Sequence, residues 1–266
     1  MKITSNVLEV TRSGTFSERG FGIANTAQAF DVLSSKIYTD VPLAIVRELS
    51  TNASDSHTDA GHADRPFDVH LPNSLEPWFT IRDYGTGLSP EDVENVYTTY
   101  FRSTRSGSDD FTGCLGLGSK SPFAYTDQFT IVSNWNGHKF TYSAFKNESG
   151  CPSLALLSEV ATTEPNGLEI RLAIKPGDSG KFVQAAKRVY PFFKTCPNIT
   201  GATIDLEDIK PEISTPEYSL YTNGGNTLPH KRSVVMGQVC YKVDDYKFDH
   251  DFTYNAFVVL NMRMGS

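Results

Sequence analysis

The sequence predicts an α+β fold, and three observations carry that prediction. Residues 41–60 and 179–190 place apolar side chains at helical spacing, the apolar period changes to two beyond residue 127, and favoured turn residues separate the alternating runs. The chain has 266 residues, 39% of them hydrophobic and 21% charged, enough for one large domain or two small ones with a proper core. A net charge of −7 argues against a whole-surface grip on nucleic-acid phosphates. Cys114, Cys151, Cys196 and Cys240 lack C-x-x-C spacing, and without a secretory leader they read as reduced thiols of a cytoplasmic protein. No apolar run approaches the length of a transmembrane segment, which leaves only peripheral contact with a membrane open.

Residues 1–24 mix strand-like pieces with a polar stretch, TRSGTFSERG. Asn25 or Thr26 can cap a short helix with Phe30, Leu33 and Ile37 on one side. A longer helix spans about 40–60: Asp40 is placed to cap it, Pro42 sits in its first turn, and Gly61 is placed to end it. His57, Asp59, His62 and Asp64 resemble a metal cluster on paper, but a polar helix terminus is the better reading. Phe67, Val69 and Leu71, then Phe79 and Ile81, alternate as strands, the second leading into the turn D-Y-G-T-G. Ser89-Pro90-Glu91-Asp92 opens another helix, with Val93, Val96, Tyr97 and Tyr100 on one side. A glycine-punctuated loop, FRSTRSGSDDFTG, leads to GCLGLGSKSPFAY. Phe129 and Ile131 precede the hairpin pair Asn136-Gly137, KFTYSAF returns, and Leu168, Ile170, Leu172 and Ile174 alternate cleanly. A helix follows over 179–190 and stops near Pro191. Residues 206–229 read as a linker or irregular stretch, followed by two strand-like runs, SVVMGQVCYKV and AFVVLNMRM.

Within the central helix, at about 100° per residue, Val46, Leu49 and Ala53 fall on one side, while Glu48, Asn52 and Asp55 share an arc of roughly 60° on the other. Alone, such a triplet is an ordinary solvated helix face. It is followed, however, by a D-x-G-x-G turn and a G-x-x-G-x-G loop, about 35 and 30 residues further on. Each element has a use around a nucleotide. Asp83, at the end of a strand, can accept from the exocyclic amine of adenine, and Gly85 and Gly87 leave room for the base. Gly113, Gly116 and Gly118 let backbone amides approach phosphate oxygens. Asn52 offers a neutral oxygen to a magnesium ion that already faces phosphates. Glu48 is placed to take a proton from a water attacking the terminal phosphate. A Walker A reading fails, because Ser119 stands between Gly118 and Lys120 where that motif needs lysine directly after glycine.

RELSTNASDS, with the turn and the glycine loop in this order, resembles the GHKL ATPases: gyrase B, the ninety-kilodalton class of heat-shock chaperones, histidine kinases and MutL. The resemblance covers residues 40–175. VPLAIVRELSTNASDSHTDAG and YFRSTRSGSDDFTGCLGLGSKSPFAYTDQF are more specifically similar to the RIIA lysis-inhibition proteins of tailed bacteriophages. The resemblance implies a Bergerat-type two-layer α/β sandwich, with a mixed, largely antiparallel sheet, helices on one face and a short β-rich C-terminal region. It implies ATP and Mg²⁺ as ligands and slow ATP hydrolysis, with Glu48 as general base and Asn52 as the metal ligand. Asp83 and Asp55 would serve the adenine pocket. Gly85, Gly87, Gly113, Leu115, Gly116, Leu117, Gly118, Ser119 and Lys120 would line the pocket and phosphate loop, and residues 88–112 would be the lid. The ATP-binding domain is expected over 1–205, with 206–266 as linker and start of a second, transducer-like domain.

Two departures stand out. Leu168 follows Gly167 where the family often has threonine, although Thr162 and Thr163 lie nearby. The basic residue that reaches the γ-phosphate from the next domain in some members has only Lys231, Arg232, Lys120 or Arg105 as candidates. The implied biology is a nucleotide-dependent homodimer or an unidentified protein partner, in lysis timing and protection against other phages. Alternatives are a nucleotide-gated adaptor that does not hydrolyse ATP, a chaperone-like ATPase, or a DNA-handling ATPase of the gyrase or MutL kind. The net charge gives no support to nucleic-acid binding.

Overall fold

We describe the protein from a computed structural model covering residues 27–34, 38–99, 118–206, 209–216, 218–221, 233–236 and 238–242. The helices are α1 (Ala27–Ser34), α2 (Val41–Asp59), α3 (Pro90–Thr98) and α4 (Ser179–Val189). Seven strands form the main sheet: β1 (Asp68–His70), β2 (Trp78–Arg82), β3 (Gln128–Trp135), β4 (His138–Lys146), β5 (Pro152–Ala161), β6 (Gly167–Ala173) and β7 (Asn198–Thr200). Their order is β5-β4-β3-β6-β2-β1-β7, antiparallel throughout except for the β1–β7 pair. A second sheet, β11-β10-β9-β8, joins β8 (Ile213–Ser214), β9 (Ser219–Tyr221), β10 (Ser233–Met236) and β11 (Val239–Lys242). The architecture is therefore the α+β sandwich expected, with a small extra sheet.

One face of the main sheet supplies the core. Val69, Phe79, Ile81, Ile131, Tyr142, Ile170 and Leu172 are buried with Ile45, Val46, Leu49 and Ala53 of α2 and Phe182, Ala186 and Val189 of α4. Burying each such large side chain contributes about 1.5–3 kcal/mol before entropy is counted. Edge-to-face aromatic contacts, such as Phe123 on Phe129 with centroids 4.9 Å apart, fill the space between layers.

Local signals decide where the elements begin and end. Asp40 caps α2 by accepting from the Leu43 amide at 3.2 Å, and its other oxygen takes Arg188 Nη1 of α4 at 3.0 Å. Ser89 caps α3 by accepting from Asp92 N at 3.1 Å, while its hydroxyl donates to the Asp92 carboxylate at 2.6 Å. Asn136 and Gly137 both have positive φ (50° and 77°), as a two-residue hairpin turn of the kind favoured by strand twist requires.

Three stretches differ from the sequence reading. β5 was not foreseen, because a bulge opposite Thr141/Tyr142 breaks its alternation and leaves Leu156 and Leu157 both exposed. SVVMGQVCYKV is a hairpin rather than one strand: β10 and β11 pair across Gln238, whose φ is +66°. The stretch read as irregular contains β8 and β9. The AFVVLNMRM run, the polar stretch in 1–24 and the proposed caps Asn25 and Thr26 lie outside the described residues. No helix among the described residues is long and apolar enough to cross a membrane.

Candidate functional site

α2 carries one side of the site because its opposite side is anchored. Ile45, Val46, Leu49 and Ala53 are buried in the core, and Ser50 Oγ lies 3.2 Å from the Tyr190 hydroxyl. This leaves Glu48 and Asn52 partly exposed on the polar arc, with the buried Asp55 one turn further along. Glu48 is a quarter exposed, and its Oε1 accepts from Arg47 Nη2 at 2.8 Å.

The last glycine of the G-x-x-G-x-G loop is beside that carboxylate. A methyl group on Gly118 would lie 2.6 Å from Glu48 Oε2 and 3.4 Å from its Cβ, so the end of the loop runs close beside this side chain. Gly118 opens a short 3₁₀ segment, Gly118–Ala124, which contains Ser119 and Lys120. Lys120 is 1% exposed, and its ammonium donates to the carbonyls of Val96 and, at 2.8 Å, Thr99 at the C-terminal end of α3. Burial lowers its pKa to about 8. Gly113, Leu115, Gly116 and Leu117, the remainder of the lid beyond Thr99, and the candidates Arg105, Lys231 and Arg232 lie outside the described residues.

β2 delivers Asp83 to the helix side. Its amide donates to Leu168 O at 2.9 Å, so at the position after Gly167 it is the backbone that serves the turn. Asp83 Oδ1 accepts from Ser56 Oγ at 3.1 Å and from Gly85 N at 2.9 Å. Burial pushes the Asp83 carboxyl up from its ordinary value, and hydrogen bonding from the backbone of Gly85 and Leu168 works against that shift. Gly85 permits the approach: a Cβ there would sit 2.0 Å from Ser56 Oγ. Gly87 has φ +72°, and a Cβ would sit 2.2 Å from the Asn134 carbonyl oxygen. Just beyond it, Ser133 Oγ accepts from Leu88 N at 2.9 Å and donates to Leu88 O at 2.7 Å, tying the segment before α3 to β3. Thr162, by contrast, accepts from Glu164 N in its own loop through its hydroxyl, and its amide donates to Gly137 O in the β3–β4 turn.

His57 is the support that the sequence did not disclose. Its ring is buried, Nε2 accepts from Tyr84 N at 2.7 Å, and Nδ1 lies 2.8 Å from Arg65 O. These two contacts define the neutral tautomer with hydrogen on Nδ1. The histidine thus ties the D-Y-G turn to the end of α2. Tyr84 itself points to the other side of the sheet, where its hydroxyl donates to Asp68 and the Arg65 guanidinium stacks 3.8 Å from its ring centre. Among the described residues no group of three His, Cys, Asp or Glu side chains is placed to hold a metal ion. His57→Ala leaves a buried amide and a carbonyl without partners, and we expect it to destabilise the fold by about 1–3 kcal/mol. Urea unfolding measures this; an unchanged midpoint would remove His57 from the support of the turn.

The chain is similar to the chaperone protein HtpG. With that of Salinispora tropica it shares 27% identity over 180 residues, 59% of this chain and 28% of that protein. With that of Streptomyces coelicolor it shares 25% over 176 residues, 57% of this chain and 27% of that protein. The match thus spans little more than a quarter of the length of the curated relatives. No protein-family model matches the chain. The HtpG likeness extends over more than half of the chain, so it is not a resemblance of one short motif.

Among the described residues, α2 therefore stands beside the last glycine of the loop, Glu48 next to Gly118, and is joined to the turn by Ser56 and Asp83. Ser56, His57 and Arg47 were missed as contributors. Ser56 lies about 40° beyond Asn52 on the polar arc, so its position was legible. The partners of Ser56 and His57 lie on the turn 27 residues away and were not.

Proposed function

We propose that this chain is a magnesium-dependent ATP-binding module of the GHKL type that hydrolyses ATP slowly. The observation that supports the reading most is the closeness of Glu48 to Gly118, a carboxylate beside the end of the glycine loop that this reading assigns to the phosphates. Glu48 takes the proton of the attacking water. Asn52 stands four residues on along the same polar arc, half-buried, and its amide oxygen suits a cation that draws most of its oxygens from phosphates and water. Bound magnesium would neutralise charge on the phosphates; its holding falls to Asn52 among the protein groups. Asp83 accepts the amine of the base, with Asp55, Gly85 and Gly87 around it. Gly113, Leu115, Gly116, Leu117, Gly118 and Ser119 form the phosphate loop, residues 88–112 the lid, 1–205 the nucleotide domain and 206–266 the start of a second one. Closure on nucleotide gates a dimer or partner contact in the cytoplasm. The RIIA-like runs favour a phage setting, in lysis inhibition, and the HtpG likeness supports the nucleotide-binding class more broadly.

Calorimetric titration with ATP and a non-hydrolysable analogue, with and without Mg²⁺, tests this. Binding that requires Mg²⁺, slow phosphate release and a larger species in light scattering with the analogue are expected. A chain that binds neither nucleotide refutes the reading.

A second reading, an adaptor that binds ATP without hydrolysing it, is favoured by the resting contacts: Arg47 occupies one oxygen of Glu48, and Lys120 is spent on α3 carbonyls. A burst of phosphate in a single turnover would exclude it.

A further inference from the structure

We propose that Ser56 is a positioning residue that makes Asp83 a one-sided acceptor and thereby selects adenine over guanine; this rests on the ATP-site reading above. A carboxylate offers about four lone-pair positions, two on each oxygen. Asp83 Oδ1 has both of its own taken, by Ser56 Oγ at 3.1 Å and Gly85 N at 2.9 Å. With Oδ1 filled, the acceptor capacity left beside the Leu168 backbone hydrogen bond lies on Oδ2. Adenine presents a single amine edge, N6, to such a group, and one oxygen satisfies it. Guanine presents two adjacent donors, N1–H and the N2 amine, whose good partner is a carboxylate offering both oxygens side by side. An Asp83 already saturated at Oδ1 cannot make that paired contact.

The arrangement is built in, not incidental. Ser56 sits on α2, and a hydroxyl on a helix normally has the carbonyl four residues back as an alternative acceptor. Here it donates across 27 residues to Asp83. The turn closes on Ser56 so tightly that a Cβ at Gly85 would lie 2.0 Å from Oγ and 2.9 Å from the Ser56 carbonyl oxygen. The glycine brings its amide and the serine hydroxyl to the same oxygen.

Affinities of the full chain for Mg²⁺ with the β,γ-imido analogues of ATP and of GTP give the test. Wild type is expected to prefer the adenine analogue. In Ser56→Ala one position on Oδ1 is released, and the adenine-to-guanine preference should fall about tenfold, the effect of one hydrogen bond. Ser56→Thr, which keeps the hydroxyl, should restore it. A purely structural role would weaken both analogues alike and leave the ratio unchanged, which would overturn the inference. Should Ser56→Ala not fold, Ser56→Cys, whose thiol is a poor donor, carries the same comparison, and an unchanged ratio there overturns it equally. A wild type that binds both analogues without preference defeats this inference alone, whereas one that binds neither defeats the ATP-site reading beneath it.

Discussion

Glu48→Ala is expected to slow ATP hydrolysis by about 10²–10⁴-fold while leaving nucleotide affinity close to that of the wild type. Two facts separate this from a folding defect. Glu48 is a quarter exposed and its partner Arg47 a third exposed, so loss of their ion pair costs about 1 kcal/mol or less. The helix beneath is held from its other side, by Leu49 and Ala53 in the core and by Ser50 against Tyr190. Glu48→Gln sharpens the result: it keeps the volume beside Gly118 and a polar group for Arg47, but cannot take a proton. Phosphate release under single-turnover conditions, with analogue binding measured in parallel, checks both variants. Turnover equal to the wild type in either would remove Glu48 as the base. Lost binding in both would make it a ligand-holding group instead.

How legible this site was in the sequence depends on the range of the interactions. α2 was readable because everything that specifies it is local: the cap at Asp40, Pro42, the buried stripe and the end before Gly61. The turn after β2 was readable because a strand ending in D-x-G-x-G allows few conformations. The contacts that assemble the site were not, since each joins residues far apart. Glu48 meets Gly118, Ser56 meets Asp83, and His57 meets Tyr84, and no periodicity registers such pairs. His57 shows the difference well. Among His57, Asp59, His62 and Asp64 it looked like one of several polar residues at a helix end. The structure buries it and engages both ring nitrogens, whereas His62 stays exposed in the loop. Sheet strands were readable where alternation was unbroken, as in β6, and hidden where a bulge broke it, as in β5. The second sheet was hardest, because β8 has two residues and β9 three, too few for any pattern. Its hairpin nevertheless touches the central helix, where Gln238 Nε2 donates to Ser54 Oγ at 3.2 Å.

Lys120 is expected to make the folded protein more stable as pH rises from about 8 to 10.5. The unfolded chain keeps this proton up to about 10.5, while the folded protein releases it near 8 because the ammonium is buried. Between those values the unfolded state binds more protons, and stability must rise with pH. Below about pH 8 both states are charged and the cost of burial is fully present. The rise attributable to this residue approaches about 3 kcal/mol, from 1.36 kcal/mol per unit. Other groups titrate in the same range, so the quantity to measure is the difference between wild type and Lys120→Met in denaturant unfolding. Wild type should gain on the variant across the window; a constant difference would show that Lys120 titrates as an ordinary exposed lysine. The cation is tolerated there because the last carbonyls of α3 accept from it, where the negative end of the helix dipole favours positive charge. Lys120→Met should therefore also speed amide exchange in α3. That outcome would show the ammonium, two residues after Gly118, acting as the C-terminal cap of α3.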